Sequence, residues 1–438
     1  MRLINDIEQK ISVINSWNNT YRKKAITLFP QNLKEIRIIF NKLKYEKKNF
    51  LIKTGACSYD SKSINSDQKS ILISLKKFNK VNKVNKKNNY VEVEAGVMIC
   101  DLIKYLKSKK LTLYSVPGGE KISIGGAISA NVIGKDSSKN VSCFGDTIRY
   151  LEILDESGKI KIIRNNSGEL NKYIGAFGLS GLIIRAGIKV KNIPSSNLKV
   201  NTKILNSLKE IQFELNHKAD YKYVQIDPFF RSNNFAIVFT ANSIRNLKNN
   251  FTNVNFKANY LEKLFFKFSS FFINKITWRI FYKIFFIKNN NKEYVQDIHN
   301  YHYSSKYKHM VPQMCKGGLI DYELMIRNNF IENMKLIIFF LQKNNLYPIY
   351  IVVKKIYKSD KKFFYQFNQD GYAVAISFIK NKLDKNKKKL FLKLIKKKKL
   401  ELNLSKSDEI LVKKIDNKNK LFLSMYKKLV VQKYGLRR

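Results

Sequence analysis

Between Phe50 and Val190 apolar and polar residues alternate in short runs that glycine-bearing turns separate. Val91-Glu92-Val93-Glu94-Ala95 has the period of two of a half-buried strand, ended by Gly96. Tyr150–Leu154, Lys159–Ile163 and Leu182–Val190 read as further strands, with Asp155–Gly158 as a turn. Asp101–Lys110 instead places Leu102, Ile103 and Leu106 on one face, which predicts a helix. Residues 1–45 read as a leader with a polar start and a helix around Asn32–Lys44. Pro194-Ser195-Ser196 is the first clear linker. Beyond it, strand candidates Ala236–Thr240, Leu319–Ile326, Tyr350–Lys355 and Tyr372–Phe378 interleave with helix candidates Ile331–Lys343 and Asn381–Lys399. This rhythm predicts an α+β domain built on one sheet. The expected division is 1–194, 195–400 and a C-terminal segment 401–438.

Composition changes the picture in two ways. With 438 residues and 44% hydrophobic content the chain can bury more than one core. Its formal net charge of +50 suggests a polyanion or an anionic membrane as partner. Lysine, however, greatly outnumbers arginine and is scattered along the whole chain, and Asn and Ile are also abundant. A/T-rich codons account for that bias, so the charge weighs little in favour of nucleic acid. Leu264–Lys288 is dense in Phe and Ile but carries a cation every few residues. It reads equally as a segment lying in a membrane interface and as a core helix with snorkelling lysines. Cys57, Cys100, Cys143 and Cys315 form no CxxC pair, and the four histidines show no ligand spacing, so no metal site is expected. The N-terminus shows no signal-peptide pattern, and no uncharged apolar run of about 18 residues occurs. These features predict a cytoplasmic protein with peripheral membrane contact.

The candidate chemistry lies between Pro117 and Asp146. Two glycine pairs, Gly118-Gly119 and Gly125-Gly126, precede small residues at Ala127, Ser129 and Ala130, and then Gly134. Glycine lets the backbone approach a ligand closely. Amides exposed this way form anion-binding concavities, and a helix beginning after Gly126 would add donors to the same point. Such a segment suits a diphosphate; ordinary turn glycines are the alternative.

Other pieces fall in a recognisable order around it: Lys53-Thr54-Gly55-Ala56-Cys57-Ser58-Tyr59, the strand ending at Gly96, Phe144-Gly145-Asp146, and Gly175–Ile183. Together they resemble the FAD-binding domain of the vanillyl-alcohol-oxidase superfamily, the PCMH-type fold. The resemblance implies an α+β protein, with a two-subdomain FAD-binding domain beside an α+β substrate domain whose sheet is mostly antiparallel. It assigns FAD contacts to Lys53, Gly55, Ala56, Ser58 and Tyr59 in the first loop. A second group comprises Pro117, Gly118, Gly119, Ile122, Ser123, Gly125, Gly126, Ser129, Ala130, Val132, Ile133 and Gly134. The last group is Phe177, Gly178, Gly181 and Ile183. Because no histidine stands in the first loop or at position 133, the FAD is expected to be non-covalent.

Within the superfamily the chain is similar to the oxidases of polyprenyl-phosphate-linked ribose, the flavin half of a two-enzyme epimerase. Ile320–Leu324 resembles a strand bearing substrate-facing groups, here Tyr322 and Glu323, and Lys354 stands in that group's lysine position. Leu404–Asp408 resembles a segment returning to the flavin, with Lys406 in the catalytic position. The chain departs from the pattern at Thr54, Ile133 and Ala375, where glycine, histidine and cysteine are usual. The resemblance implies hydride transfer from a sugar carbinol to flavin N5, with a short-chain NAD(P)H-dependent reductase completing the epimerisation. Two alternatives remain open: a sugar-lactone or 2-hydroxy-acid oxidase, and a non-enzymatic basic binding protein. The His-Trp-x-Lys motif of lactone oxidases is absent, since neither Trp17 nor Trp278 follows a histidine.

Overall fold

The computed structural model describes residues 7–402, apart from 20–21, 47, 49, 56–70, 120, 137, 156–157, 166–167, 179, 228, 230–235, 304–317, 365, 367–368, 399 and most of 246–290. Ala56, Ser58, Tyr59 and Lys406 lie outside the described residues, as does Leu264–Lys288 except for Ile276, Ile280 and Lys283.

The first sheet corrects the reading of residues 1–45 as a leader. Strands β1 (Gln9–Asn15) and β2 (Arg22–Leu28) form an antiparallel hairpin, followed by α1 (Leu33–Tyr45), β3 (Phe50–Lys53) and β4 (Ile71–Ser74). The sheet order is β1-β2-β4-β3, with β2 and β3 both parallel to β4. The edge strand β1 hid its character because Ile11 and Val13 are exposed while Ile14 is buried. Helix α1 fully buries Ile36, Ile39 and Leu43 against this sheet. The hairpin turn also reaches forward in the chain: Asn18 Nδ2 donates to the Leu319 carbonyl at 2.9 Å, and the Leu319 amide donates to the Asn18 carbonyl at 2.8 Å.

The second sheet comprises β5 (Val81–Asn85), β6 (Tyr90–Glu94), β7 (Leu111–Leu113), β8 (Ile148–Leu154), β9 (Ile160–Arg164) and β10 (Leu182–Asn192). Its order is β5-β6-β10-β8-β9, and β7 pairs with the end of β10. Apolar positions on α2 (Ile99–Lys107) and the short α3 (Ile124–Ala130) cover one face, burying Leu102, Ile103, Leu106, Ile124 and Ile128. Their spacing of three and four is that of a single helical stripe.

The third sheet has eight strands. These are β11 (Asn197–Leu205), β12 (Tyr221–Ile226), β13 (Ala236–Ser243), β14 (Glu293–Asp297), β15 (Leu319–Ile326), β16 (Tyr350–Ile356), β17 (Gly371–Ile379) and β18 (Glu401–Leu402). The order is β14-β11-β13-β12-β16-β17-β15-β18, and every pair is antiparallel. Helices α4 (Leu208–Asn216), α6 (Phe330–Lys343) and α7 (Lys385–Lys397) pack on one face over Val224, Val238, Leu324, Val353 and Ile376. A short α5 (Ile298–Tyr303) follows β14. Helix α7 starts later than the periodicity suggests because Asp384 accepts the Lys387 amide at 2.8 Å and fixes the N-cap there.

The opposite face of this sheet turns to the first domain. Ile133 packs against Met325, Ile356 and Ala373, and Tyr303 and Phe363 join the core formed by the first two sheets. Ser359 Oγ bonds Asp146 Oδ1 at 2.5 Å across the same seam.

Phe391 on α7 is fully buried, with its ring 5.2 Å from that of Tyr322 and 5.6 Å from that of Phe340. Phe391→Ala should destabilise the chain by about 3–5 kcal/mol in urea unfolding through cavity creation.

Candidate active site

One short helix organises the glycine-rich segment. Ser123 is the N-cap of α3, and its Oγ accepts the amides of Gly126 at 3.3 Å and Gly55 at 3.1 Å. It also bonds Thr54 Oγ1 at 2.5 Å. The first loop is thereby fixed to the helix start. Gly55 lies so close to the following segment that an added Cβ would sit 2.3 Å from the Lys121 carbonyl oxygen.

The expected helix beginning after Gly126 is corrected: α3 starts at Ile124. Its first amides are already engaged. Ile124 donates to Val97 at 2.9 Å, Gly125 to Ala95 at 2.8 Å and Ala127 to Ser123 at 2.9 Å, each to a carbonyl oxygen. Gly125 is buried, and a Cβ there would come within 3.0 Å of the Ala95 Cβ. It is therefore a packing glycine. Gly126 is more open, with only Ser123 Oγ and Thr54 Oγ1 within 4 Å of an added Cβ. Gly118 is half-buried, Pro117 and Gly119 are buried, and Ile122 is half-buried.

The later glycine loop docks on the other end of α3. Gly175 and Phe177 donate their amides to the Ile128 and Ser129 carbonyls at 3.0 and 2.8 Å. Phe177 and Gly178 have φ of 54° and 79°, and an added Cβ at Gly178 would meet nothing within 4 Å. Gly181 serves packing, since a Cβ there would lie 2.6 Å from Ile153 Cγ2, and Ile183 is in the core. Ala130 and Val132 are half-buried around the C-cap at Asn131, whose left-handed φ of 43° turns the chain into Val132–Asp136. Lys53 ends β3 half-buried, and burial lowers its pKa.

The polar face of the eight-stranded sheet meets this turn. Lys354 Nζ donates to the Ile133 carbonyl at 3.4 Å and lies 3.5 Å from Glu323 Oε1. Their side chains are 14% and 4% exposed, so the pair is held out of solvent. Asp321, two residues before Glu323 and on the same face, accepts hydrogen bonds from Ser377 Oγ and Tyr350 Oη. Tyr322 is a correction. Side chains alternate along a strand, so the residue between Asp321 and Glu323 points the other way. Its ring packs against Phe378 and Phe391 in the helix-covered core. Glu323 and Lys354 are brought together; Tyr322 is not.

Sequence reasoning missed Lys135 and Asp136. The Lys135 ammonium lies 4.5 Å from the Tyr223 ring centroid and 5.0 Å from that of Tyr301. Burial, with Lys354 nearby, pulls its pKa down to about 8. Asp136 Oδ2 accepts the Val116 amide at 2.6 Å. Gly134 packs closely in this turn, since a Cβ would fall 2.0 Å from Asp136 Oδ1 and 3.0 Å from the Val116 amide nitrogen. Lys135 follows Gly134 in the glycine segment but was given no site role, being one of 83 Lys and Arg. The available signal was Tyr221-Lys222-Tyr223-Val224-Gln225-Ile226, whose alternation places Tyr221 and Tyr223 on one strand face. His302 is a buried core residue, 4.8 Å from the Tyr221 ring.

Residues 25–164 match a family described as the FAD binding domain. The chain is 25% identical over 158 residues to decaprenylphosphoryl-β-D-ribose oxidase of Mycolicibacterium smegmatis; the match covers 35% of this chain and 34% of that protein. It thus spans about a third of the length of that relative. Among solved structures, cholesterol oxidase from B. sterolicum is similar at a TM-score of 0.75 and 9% identity, over 97% of this chain and 95% of its own. A solvent-stable cholesterol oxidase aligns at a TM-score of 0.70 and 11% identity, over 92% and 88%. The chain therefore has the two-domain PCMH-type flavoprotein fold. Residues 25–164 are its FAD-binding domain, and FAD is the cofactor. The surface around α3 fits that group: Gly126 and Gly178 leave space for it, and the tight approach at Gly55 admits only glycine.

Two measurements probe this electrostatic arrangement. Burial pushes the Asp136 carboxyl from 3.8 up to about 6, so between those pH values the folded chain holds a proton that the unfolded chain has lost. Its contribution to stability is thus present at low pH and declines as pH rises through the window, by roughly 3 kcal/mol in all. Asp136→Asn, which keeps an acceptor for Val116, should flatten the stability profile there in denaturant titrations. Separately, Lys354→Met removes the cation facing buried Glu323 and should cost about 3–5 kcal/mol in the same assay, most of it recovered in Lys354→Met/Glu323→Leu.

Proposed function

We propose that the chain is an FAD-dependent oxidoreductase that converts a sugar carbinol to a ketone. Its substrate is a prenyl-phosphate-linked pentose, and the reaction is the first half of an epimerisation completed by a short-chain NAD(P)H-dependent reductase. The observation that carries this reading is the buried, polar sheet face of Glu323 and Lys354 set against Ile133, in a domain facing an FAD-binding one. The name of the mycobacterial relative supports the same substrate class.

When bound, FAD supplies the acceptor for the carbinol hydride. Thr54-Gly55, Gly118-Gly119, Gly126, Gly134 and Phe177-Gly178 would hold the cofactor, chiefly through backbone. Lack of a histidine in 53–59 or at position 133 supports non-covalent binding. Glu323 and Lys354 orient the sugar: one accepts from its hydroxyls, the other donates. Lys406 contacts the hydroxyl being oxidised and holds its proton at Nζ. The lipid-linked substrate favours work at a membrane surface, with Leu264–Lys288 as the contacting segment. None of the described helices is long and apolar enough to cross a membrane.

Purified protein should be yellow or take up FAD, and anaerobic addition of farnesylphosphoryl ribose should bleach the oxidised-flavin band. Aldonolactone, lactate or cholesterol should leave it unchanged. Lys406→Met should keep its FAD while slowing bleaching at least about a hundredfold. A colourless protein that takes up no FAD, or bleaching by lactone alone, sinks the reading.

A further inference from the structure

From Ile124 to Ala127 the start of α3 offers the cofactor no free amide. Those of Ile124, Gly125 and Ala127 go to the carbonyls of Val97, Ala95 and Ser123. Those of Gly126 and of Gly55 in the first loop go to Ser123 Oγ, at 3.3 and 3.1 Å. Gly55 thus turns inward a donor that a glycine-rich loop would present to a diphosphate. A diphosphate in this cradle still needs donors, because burying an anion without hydrogen bonds is costly. One side chain beside the opening over Gly126 has a donor left.

A hydroxyl oxygen has two acceptor sites and one proton. The Gly55 and Gly126 amides fill both acceptor sites of Ser123 Oγ, so in its 2.5 Å bond to Thr54 Oγ1 the serine is the donor. Thr54 Oγ1 is then the acceptor, and its own proton remains available; no acceptor among the described residues takes it. The side chain is also fixed in direction. Its methyl Cγ2 lies on the packed side, 3.4 Å from a Cβ built on Gly125, and Oγ1 lies on the open side, 3.6 Å from one built on Gly126. Threonine is stiff at χ1 because it is branched at Cβ, and the bond from Ser123, itself 1% exposed, holds it further. Thr54 is half-buried, so its hydroxyl borders the surface that fits FAD. Glycine is usual here in the pattern the chain otherwise resembles, and the hydroxyl is a departure from it.

We infer that the Thr54 hydroxyl donates to a diphosphate oxygen of FAD, replacing amide donors that the first loop and α3 withhold. The hydrogen bonds then run in one direction, from the two glycine amides to Ser123, from Ser123 to Thr54 and from Thr54 to the phosphate, and each polarises the next. Thr54 is a cofactor-positioning residue. The assignment needs FAD as the cofactor and holds whichever sugar is oxidised.

The test uses the FAD-loaded full chain as wild type, Thr54→Val and Thr54→Ser, with no sugar substrate. Release of FAD on dilution, followed by flavin fluorescence, gives its Kd. Phosphorus NMR at saturating FAD reads the diphosphate directly. Thr54→Val should raise the Kd at least about tenfold, the loss expected for a hydrogen bond to a charged group. Thr54→Ser, which keeps the hydroxyl, should stay within about threefold of wild type. A diphosphate resonance of the bound cofactor should shift in Thr54→Val and return in Thr54→Ser. An unchanged Kd in Thr54→Val overturns the assignment. So does equal weakening in both variants, which would make the methyl contact with Gly125 the cause. Weakened binding with an unmoved phosphorus spectrum also overturns it, by tracing the effect to the Ser123 cap. If Thr54→Val does not fold, Thr54→Ala takes its place with the same expectations. A wild-type chain that takes up no FAD overturns the assignment together with the cofactor, whereas failure of a sugar to reduce the flavin touches only the proposed function.

Discussion

The site depends on a single hydroxyl. Ser123 Oγ accepts from Gly55 and Gly126 and bonds Thr54 Oγ1, which fills the capacity of a serine side chain. Through those bonds the end of β3, the start of α3 and the glycine segment are fixed in one place. The C-terminal end of α3 then anchors Gly175 and Phe177, and Asn131 turns the chain toward Lys135. Loops distant in sequence thus converge because one seven-residue helix offers carbonyls at one end and a saturated cap at the other.

The eight-stranded sheet answers that arrangement with two dissimilar faces. Period-two alternation places Val224, Leu324 and Val353 under helices while Tyr223, Glu323 and Lys354 point at the first domain. A polar face tolerates burial only if its groups are matched. The bonds among Asp321, Ser377 and Tyr350, and the Lys354–Glu323 pair, do that matching. The seam is therefore held by directional contacts, and these fix where a substrate can lie relative to the flavin-binding surface.

Much of this was legible in the sequence. The strands around Val91 and Leu319 and the ordered glycine motifs were readable because alternation and glycine spacing are local signals. The N-terminal hairpin was not, because an edge strand exposing Ile11 and Val13 lacks the alternation that marks a half-buried strand. The roles within the glycine segment were also hidden. Sequence cannot tell Gly125, which packs on Ala95, from Gly126, which is open, since the difference lies in a strand far along the chain. Tyr322 was misplaced by one step of alternation, although its neighbour Glu323 was not. Lys135 was given no role in so lysine-rich a chain, because its surroundings, two tyrosines from different elements, exist only after folding.

The reciprocal bonds between Asn18 and Leu319 join residues 301 positions apart. During synthesis the first domain can gather its own core long before Leu319 has emerged from the ribosome. Its hairpin turn must then wait, with Ser16 and Asn18 still facing water, until the third sheet arrives to bury them. Closing so long a loop is slow, so this contact between the first and third sheets forms after the local ones. A nascent flavoprotein of this design would acquire its cofactor-binding surface early and its completed seam late.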